Sequence, residues 1–381
     1  MQIASDVIYV GVTDTGIDLF ESQYKVHGGV TYNSYAIIDE KIAIMDSTDA
    51  HFTSEWLENV EKALSGKDAD YLIVHHMEPD HSANISAFAK RYPDALIVAS
   101  EKAFGMMKNF FGTDYPDRRI VVKDGDKLCL GRHTLTFISA PMVHWPEVMV
   151  SYDDESKLLF SADAFGRFGL IDDSDWIQEA RRYYIGIVGK YGQQVSALLK
   201  KLAALNIKAI CPLHGPVVTN VGEAVDLYST WAQYRADGDG TVIAYASVYG
   251  NTKDAAQKLA DLLEERSEQV HLFDLSRCDM HEAIALAFAR PRLILAASTY
   301  NGGVFPPMKA FIDGLIERGY RNRRVGLIEN GSWAPMAAKV MKNMLSECRD
   351  ITFLENEVRI LSRLNEESHE KLLALAGEIK I

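Results

Sequence analysis

The sequence predicts two successive α/β domains, a mixed layered one over residues 1–240 and a doubly wound parallel five-stranded one over 241–381. Two observations carry this reading. A chain of 381 residues with 48% hydrophobic content has material for more than one core of the usual ~150 residues. The rhythm of the chain then changes at Asp237-Gly238-Asp239-Gly240, a turn-forming stretch behind a helical segment at 223–235. Before that turn, β-rich runs fall at 7–12, 35–38, 42–45, 71–74, 135–138, 148–152 and 158–160, with helices such as 54–64 between some of them. After it, strands at 242–246, 270–273, 293–297, 324–328 and near 358–360 alternate strictly with helical segments, the pattern of a parallel sheet covered on both faces. The helix behind the first of these strands repeats apolar Ala255, Leu259, Leu262 and Leu263 along one side.

The net charge of −13 argues against a non-specific binder of nucleic acid or anionic membrane, because like charge repels. No apolar run approaches the ~18 residues of a bilayer span, and the opening MQIASDVIYVGV lacks a basic, signal-type pattern. The expected location is the cytoplasm, with neither nucleic acid nor membrane as partner. Cys129, Cys211, Cys278 and Cys348 are scattered without a CxxC pair, which suits a reducing compartment and places any thiolate-bound redox centre on another protein.

The densest chemistry is Val74-His75-His76-Met77-Glu78-Pro79-Asp80-His81, where an apolar run enters a loop of imidazoles and carboxylates. His144, Asp163 and His214 each follow a β-like run in the same way, and strand ends of a layered sheet converge on one edge. Seven side chains exceed the needs of one metal ion. Two ions would use them, with His76, Glu78 and His144 on the first, Asp80, His81 and His214 on the second, and Asp163 between. His75 is adjacent to His76 on an extended run and so faces the other way. His51, His133, His271, His281 and His369 have no such context and read as surface or packing residues.

In the second domain, strand 242–246 leads through Ser247-Val248-Tyr249-Gly250-Asn251-Thr252 into a helix. Hydroxyls and a glycine at a strand-to-helix turn cradle a phosphate on backbone N–H groups. The absence of a Walker lysine and of G-x-G-x-x-G disfavours ATP and NAD. Ser298-Thr299-Tyr300-Asn301-Gly302-Gly303 and Glu329-Asn330-Gly331-Ser332-Trp333-Ala334 close two further strands, and Tyr300 and Trp333 are candidates to flank a flat ring.

These motifs resemble the metallo-β-lactamase-like superfamily and, more narrowly, the flavodiiron proteins, whose H-x-E-x-D-H motif is matched by His76, Glu78, Asp80 and His81. The resemblance covers essentially the whole chain in the right domain order. It implies a metallo-β-lactamase-like αβ/βα sandwich over 1–240 followed by a flavodoxin-like domain over 241–381, with FMN and two non-haem irons as cofactors. In hydrolytic members the residue corresponding to Glu78 is a second histidine, which suits zinc; a carboxylate makes the site harder and favours iron that reaches Fe(III). Residue by residue, His81 is either a ligand or stands just outside the coordination sphere. His27 resembles the family's pocket histidine, a proton donor or a support for the ligands, unless it is a turn residue. Two flavin loops depart from the family, with Ala297-Ser298-Thr299 where Ser-Pro-Thr is common and ENGSWAP in place of a version richer in glycine and aromatics.

The implied activity is four-electron reduction of O2 to water, since two Fe(II) ions and a reduced FMN hold four electrons between them. Reduction of NO to N2O at the same centre is the alternative. A dinuclear zinc hydrolase and an electron-transfer flavoprotein with a vestigial metal site are rivals, opposed by Glu78 and by the intact ligand set. The resemblance suggests rubredoxin or reduced deazaflavin as the external donor. Flavin binds beyond the carboxyl edge of its sheet while the domains join at the start of that sheet, so a head-to-tail homodimer, or a tetramer built from it, is expected. Trp145, in His144-Trp145-Pro146-Glu147, either meets the partner's flavin at that seam or packs on the rim of its own domain.

Overall fold

The computed structural model describes residues 2–170 and 176–379. The chain forms two compact units, Met1–Ser229 and Thr230–Ile381, with the division inside the helix Val221–Ala232.

The first unit is built on two sheets. One runs in the order Gln2–Ala4, Val7–Tyr9, Tyr35–Ile37, Ala43–Met45, Tyr71–Ile73, Leu96–Ala99 and Arg119–Val121, antiparallel up to Ala43–Met45 and parallel from there on. The other runs Lys127–Cys129, Thr134–Ser139, Met149–Asp153, Leu158–Phe160 and Ala209–Cys211, with only the last pair parallel. Alternation along the strands sorts side chains between layers. Met45, Ile73 and Val98 pack with Phe137, Met149 and Phe160 between the sheets, while Ile44, Leu72 and Ile97 face a helix layer holding Trp56, Val60, Phe88 and Phe104. The run at 7–12 divides where a sequence reading makes it continuous: Val12–Asp14 leaves to pair with Val30–Tyr32. The break falls at Gly11, where an added Cβ would lie 2.4 Å from the Tyr32 carbonyl oxygen.

The second unit is a parallel sheet in the order Val270–Asp274, Thr241–Ala246, Arg292–Tyr300, Arg323–Asn330, then a fifth position. Two short strands, Ile351–Phe353 and Val358–Ile360, share that position in place of the expected single strand. Glu378 on the C-terminal helix holds the bulge between them by accepting from the N–H groups of Glu355 and Asn356 at 2.7 and 3.0 Å. Leu259, Leu263, Leu372 and Leu375 cover one face through Ile243, Ile294 and Ile328. The helices Met280–Ala289 and Pro306–Glu317 lie on the other. Among the described residues no helix is long and apolar enough to cross a membrane.

Candidate functional site

In the second sheet of the first unit, Thr134–Ser139, Leu158–Phe160 and Ala209–Cys211 run in one direction, so the residues following them share an edge. His144, Asp163 and His214 follow these three strands, and the loop after Tyr71–Ile73 of the other sheet delivers the remaining side chains. Glu78 adopts an extended conformation ahead of Pro79, which opens the short helix Pro79–Ser82 and turns Asp80 and His81 inward. Met142, Ala162 and Phe165 have φ of 63°, 51° and 67°, so left-handed backbone surrounds the convergence point, at ~1–3 kcal/mol each. His75 faces away as expected, with Nδ1 at 2.5 Å from Asp46 Oδ2 and Nε2 at 2.8 Å from Ser151 Oγ.

All seven expected residues assemble as two groups, His76 with Glu78, His144 and Asp163, and Asp80 with His81 and His214; within each, ligand atoms lie within 4.8 Å of one another. Asp163 spans them. Its Oδ2 is 3.0 Å from His144 Nε2 and 3.4 Å from His76 Nε2, and its Oδ1 is 3.2 Å from His81 Nε2 and 3.8 Å from His214 Nε2. The His76 and His144 Nε2 atoms stand 3.3 Å apart, those of His81 and His214 3.0 Å. Both oxygens of Asp80 and Oδ1 of Asp163 are buried and accept no hydrogen bond among the described residues; Asp80 Oδ2 meets only the imidazole edges of His214 and His81, Nε2 at 3.2 and 3.3 Å. Imidazole nitrogens facing each other beside buried carboxylate oxygens that accept no hydrogen bond lack a positive centre, and a pair of cations would supply it.

Nearby groups settle which nitrogen is free to bind. His76 Nδ1 donates to Glu147 Oε1 at 2.8 Å, and His214 Nδ1 donates to the Thr31 carbonyl at 2.8 Å, so in each ring Nε2 keeps its lone pair for the interior. Glu147, which also accepts from the Met77 N–H at 2.9 Å, is the residue of this cluster that sequence reasoning missed; its only signal is its place three positions after His144. In the metal-free protein, burial works against charging the histidines, yet Asp163, Glu147 and Glu78 hold His76 well above the ordinary imidazole range, Asp163 and Glu78 bring His144 to about 9, and Asp80 raises His214. Burial also opposes ionising Asp163 and Glu78, and the imidazoles overcome it and hold both below the usual carboxylate range.

His27 is exposed and stands outside both groups. Trp145 packs on its own domain, its ring edge-on to His76 at 5.2 Å between centroids.

In the second unit the carboxyl ends of three strands enclose a cavity of about 620 Å³. The expected loop residues line it except Gly250, Gly303 and Glu329, and Ala334, Met336 and Ser362 join them. Glu329 is a correction. Alternation along its strand buries it away from the cavity, where it accepts from the Ala338 N–H at 3.1 Å and from Arg359 Nε at 2.7 Å. Gly303 pairs with Tyr300 in a short antiparallel ladder. Gly250 precedes the helix Asn251–Glu264 with φ of 96°, a conformation only glycine adopts without strain, and it carries no side-chain cap. That leaves the helix N–H groups to an anion, beside Ser247 Oγ and the Thr252–Ser298 hydroxyl pair at 2.9 Å. Thr299 also lines the cavity, but its Oγ1 accepts from the Met336 and Ala337 N–H groups. Tyr249 and Trp333 stand at the rim, 93% and 84% exposed, and Tyr300 is exposed beside them.

A lactamase-like domain with a carboxylate-rich dinuclear constellation, joined to a flavodoxin-like domain, defines a flavin- and metal-dependent oxidoreductase. Residues 30–215 match the family described as ODP family beta lactamase, and residues 243–355 match Flavodoxin. A nitric oxide reductase of Moorella thermoacetica is 30% identical over 91% of this chain and 90% of its own length. An anaerobic nitric oxide reductase flavorubredoxin of Salmonella arizonae is 27% identical over 91% of this chain and 75% of its own. The solved structure of rubredoxin oxygen:oxidoreductase from Desulfovibrio gigas superposes with a TM-score of 0.91 at 26% identity, covering 100% of this chain and 97% of that one. The chain belongs to the flavodiiron protein family. That membership implies FMN and a non-haem diiron centre as its cofactors.

Proposed function

We propose that this protein reduces O2 to water at the diiron centre, with FMN in the 620 Å³ cavity passing electrons from an external donor. His76, Glu78 and His144 would hold one iron, Asp80, His81 and His214 the other, and Asp163 both. The observation that carries the reading is Asp163, a buried carboxylate whose two oxygens face opposite groups. When bound, two ferrous ions and a reduced flavin supply the four electrons that O2 requires. The chain's own part is to hold and to exclude. Glu147 and the Thr31 carbonyl keep the Nδ1 protons in place, while Phe20, Tyr32 and Tyr183, with ring centroids 5.1, 5.8 and 5.7 Å from that of His214, keep water from its flank. Tyr300 and Trp333 offer flat walls for the flavin ring.

Reduction of NO to N2O is the second reading, favoured by the names of the Moorella and Salmonella relatives. Rubredoxin is the donor class the name of the Desulfovibrio protein supports. The head-to-tail dimer is part of the proposal, as is a cytoplasmic location, which four unpaired cysteines support.

Protein prepared anaerobically should carry about two irons and one FMN per chain, and with reduced rubredoxin should consume O2 faster than it forms N2O from NO. Zinc in place of iron, with ester hydrolysis, overturns the reading; faster N2O formation moves it to the second. Mixing chains that lack metal (His76→Ala with Asp163→Asn) with chains that lack flavin (Ser247→Ala with Thr252→Val) should restore activity in mixed dimers. No recovery in verified mixed dimers removes the head-to-tail arrangement.

A further inference from the structure

On the opposite face of the segment that carries His76, His75 joins two side chains that also stand outside both groups. Asp46 follows Ala43–Met45 and His75 follows Tyr71–Ile73, both of the first sheet, while Ser151 lies within Met149–Asp153 of the second. Asp46 Oδ1 accepts from the His75 N–H at 2.7 Å and Oδ2 from Nδ1 at 2.5 Å, and His75 Nε2 meets Ser151 Oγ at 2.8 Å. The order is that of a nucleophile triad, but all three side chains are at most 2% exposed, so no substrate reaches Ser151. What the line does is join the two sheets. Asp46 is itself fixed: its backbone is left-handed at φ of 55°, its N–H donates to the Ile73 carbonyl at 2.8 Å, and its carbonyl accepts from Ser34 Oγ at 3.0 Å, where Trp56 Nε1 donates in turn. A residue other than glycine keeps that conformation only where its surroundings impose it.

The brace ends on one ligand loop. The Met149 N–H donates to the His75 carbonyl at 3.2 Å, and Glu147 accepts from His76 Nδ1 and the Met77 N–H, so with Ser151 the segment 147–151 grips 75–77 at four points. Successive side chains of an extended segment point opposite ways, so an anchored His75 ring leaves the His76 ring one direction, toward Glu78, His144 and Asp163. The other group is held separately. The Ser47 N–H and Oγ donate to the His81 carbonyl at 2.9 and 2.8 Å, and the Thr31 carbonyl orients His214. We propose that His75 is a positioning residue for the first metal ion alone: bonded to Asp46 and Ser151, it fixes the backbone that presents His76, and it leaves the ion of Asp80, His81 and His214 unaffected. The inference rests on the division of ligands between two irons proposed above.

The test is anaerobic Fe(II) titration of the full chain read by Mössbauer spectroscopy, since ferrous ions in unlike ligand sets give separate quadrupole doublets. His144→Ala, which removes a ligand from the first group, identifies the doublet of that ion. His75→Phe keeps a ring and removes its hydrogen bonds; the first ion should bind about 10-fold more weakly and its doublet shift, while the second ion and its doublet stay as in wild type. Ser151→Ala, which deletes one hydroxyl, should act in the same direction and less, and Ser151→Thr, which keeps the hydroxyl, should bind as wild type. General loosening of the fold would instead weaken both ions together. If His75→Phe does not fold, the two Ser151 variants decide alone. Equal weakening of both ions, no change in either, or a Ser151→Thr chain that binds as poorly as Ser151→Ala overturns the proposal. If His144→Ala disturbs neither doublet, or abolishes both, the fault lies in the division of ligands and not in the brace.

Discussion

The metal centre of the first unit and the flavin cavity of the second are both built at strand ends, but from different materials. In the metal centre, five of seven contributing side chains come from a buried or nearly buried environment, two protons are fixed by outside acceptors, and carboxylate oxygens are left without partners. The flavin cavity is built from loop backbone, hydroxyls and a helix start, with two aromatic rings almost wholly exposed. Small, highly charged ions demand side chains set to within fractions of an ångström, which only a packed core can hold. A large flat ligand with one phosphate contributes its own surface, so three loops of one sheet suffice.

Breaking one region should leave the other intact, and the largest break is Asp163→Asn. A neutral amide cannot draw two cations together, so iron should be lost outright and O2 consumption with it, while FMN stays at wild-type stoichiometry; metal and flavin analysis of one sample decides this. His81→Ala removes one imidazole and should only weaken metal retention. In the opposite direction, Ser247→Ala with Thr252→Val should leave the purified chain without FMN at unchanged iron, measured by flavin fluorescence, because two hydroxyls facing an anion are lost. If iron falls too, the two sites are not independent. Glu147→Gln probes how far the metal centre depends on a residue that binds no metal; metal affinity should fall by about 10- to 100-fold with the His76 tautomer no longer enforced by a charge.

The two regions should also answer differently to pH. In the metal-free protein, His76, His144 and His214 are all raised, so below about 9, the value for His144, metal ions must displace protons. Apparent iron affinity should therefore rise as pH rises toward about 9, by about tenfold per unit for each proton displaced, whereas FMN affinity shows no such slope. Proton release on anaerobic Fe(II) titration checks the sign directly. The smallest effect belongs to Trp333→Ala, which removes an exposed wall: FMN affinity should drop by a few-fold, about 1 kcal/mol, with iron unchanged.

The seven converging side chains were legible because each sits just past a run of β-formers, and a side chain beyond a strand end has few places to go. The parallel sheet of the second unit was legible for a similar reason, strict alternation of strand and helix. Two things escaped. Glu147 acts through His76, and no spacing rule marks a residue whose partner is 71 positions away. Glu329 was read by its place in a loop motif, although the period of two along Arg323–Asn330 sets it opposite its neighbour Asn330, which lines the cavity.

The buried oxygens of Asp80 and Asp163, which accept no hydrogen bond, bear on the stability of the protein as well as on its chemistry. A chain synthesised while iron is scarce folds around buried anions that nothing but borrowed protons offsets, and a fold stabilised by a bound ion loses that stabilisation with the ion. Since proteases act on the opened form, bound metal would make the folded chain harder to cleave as well as able to react.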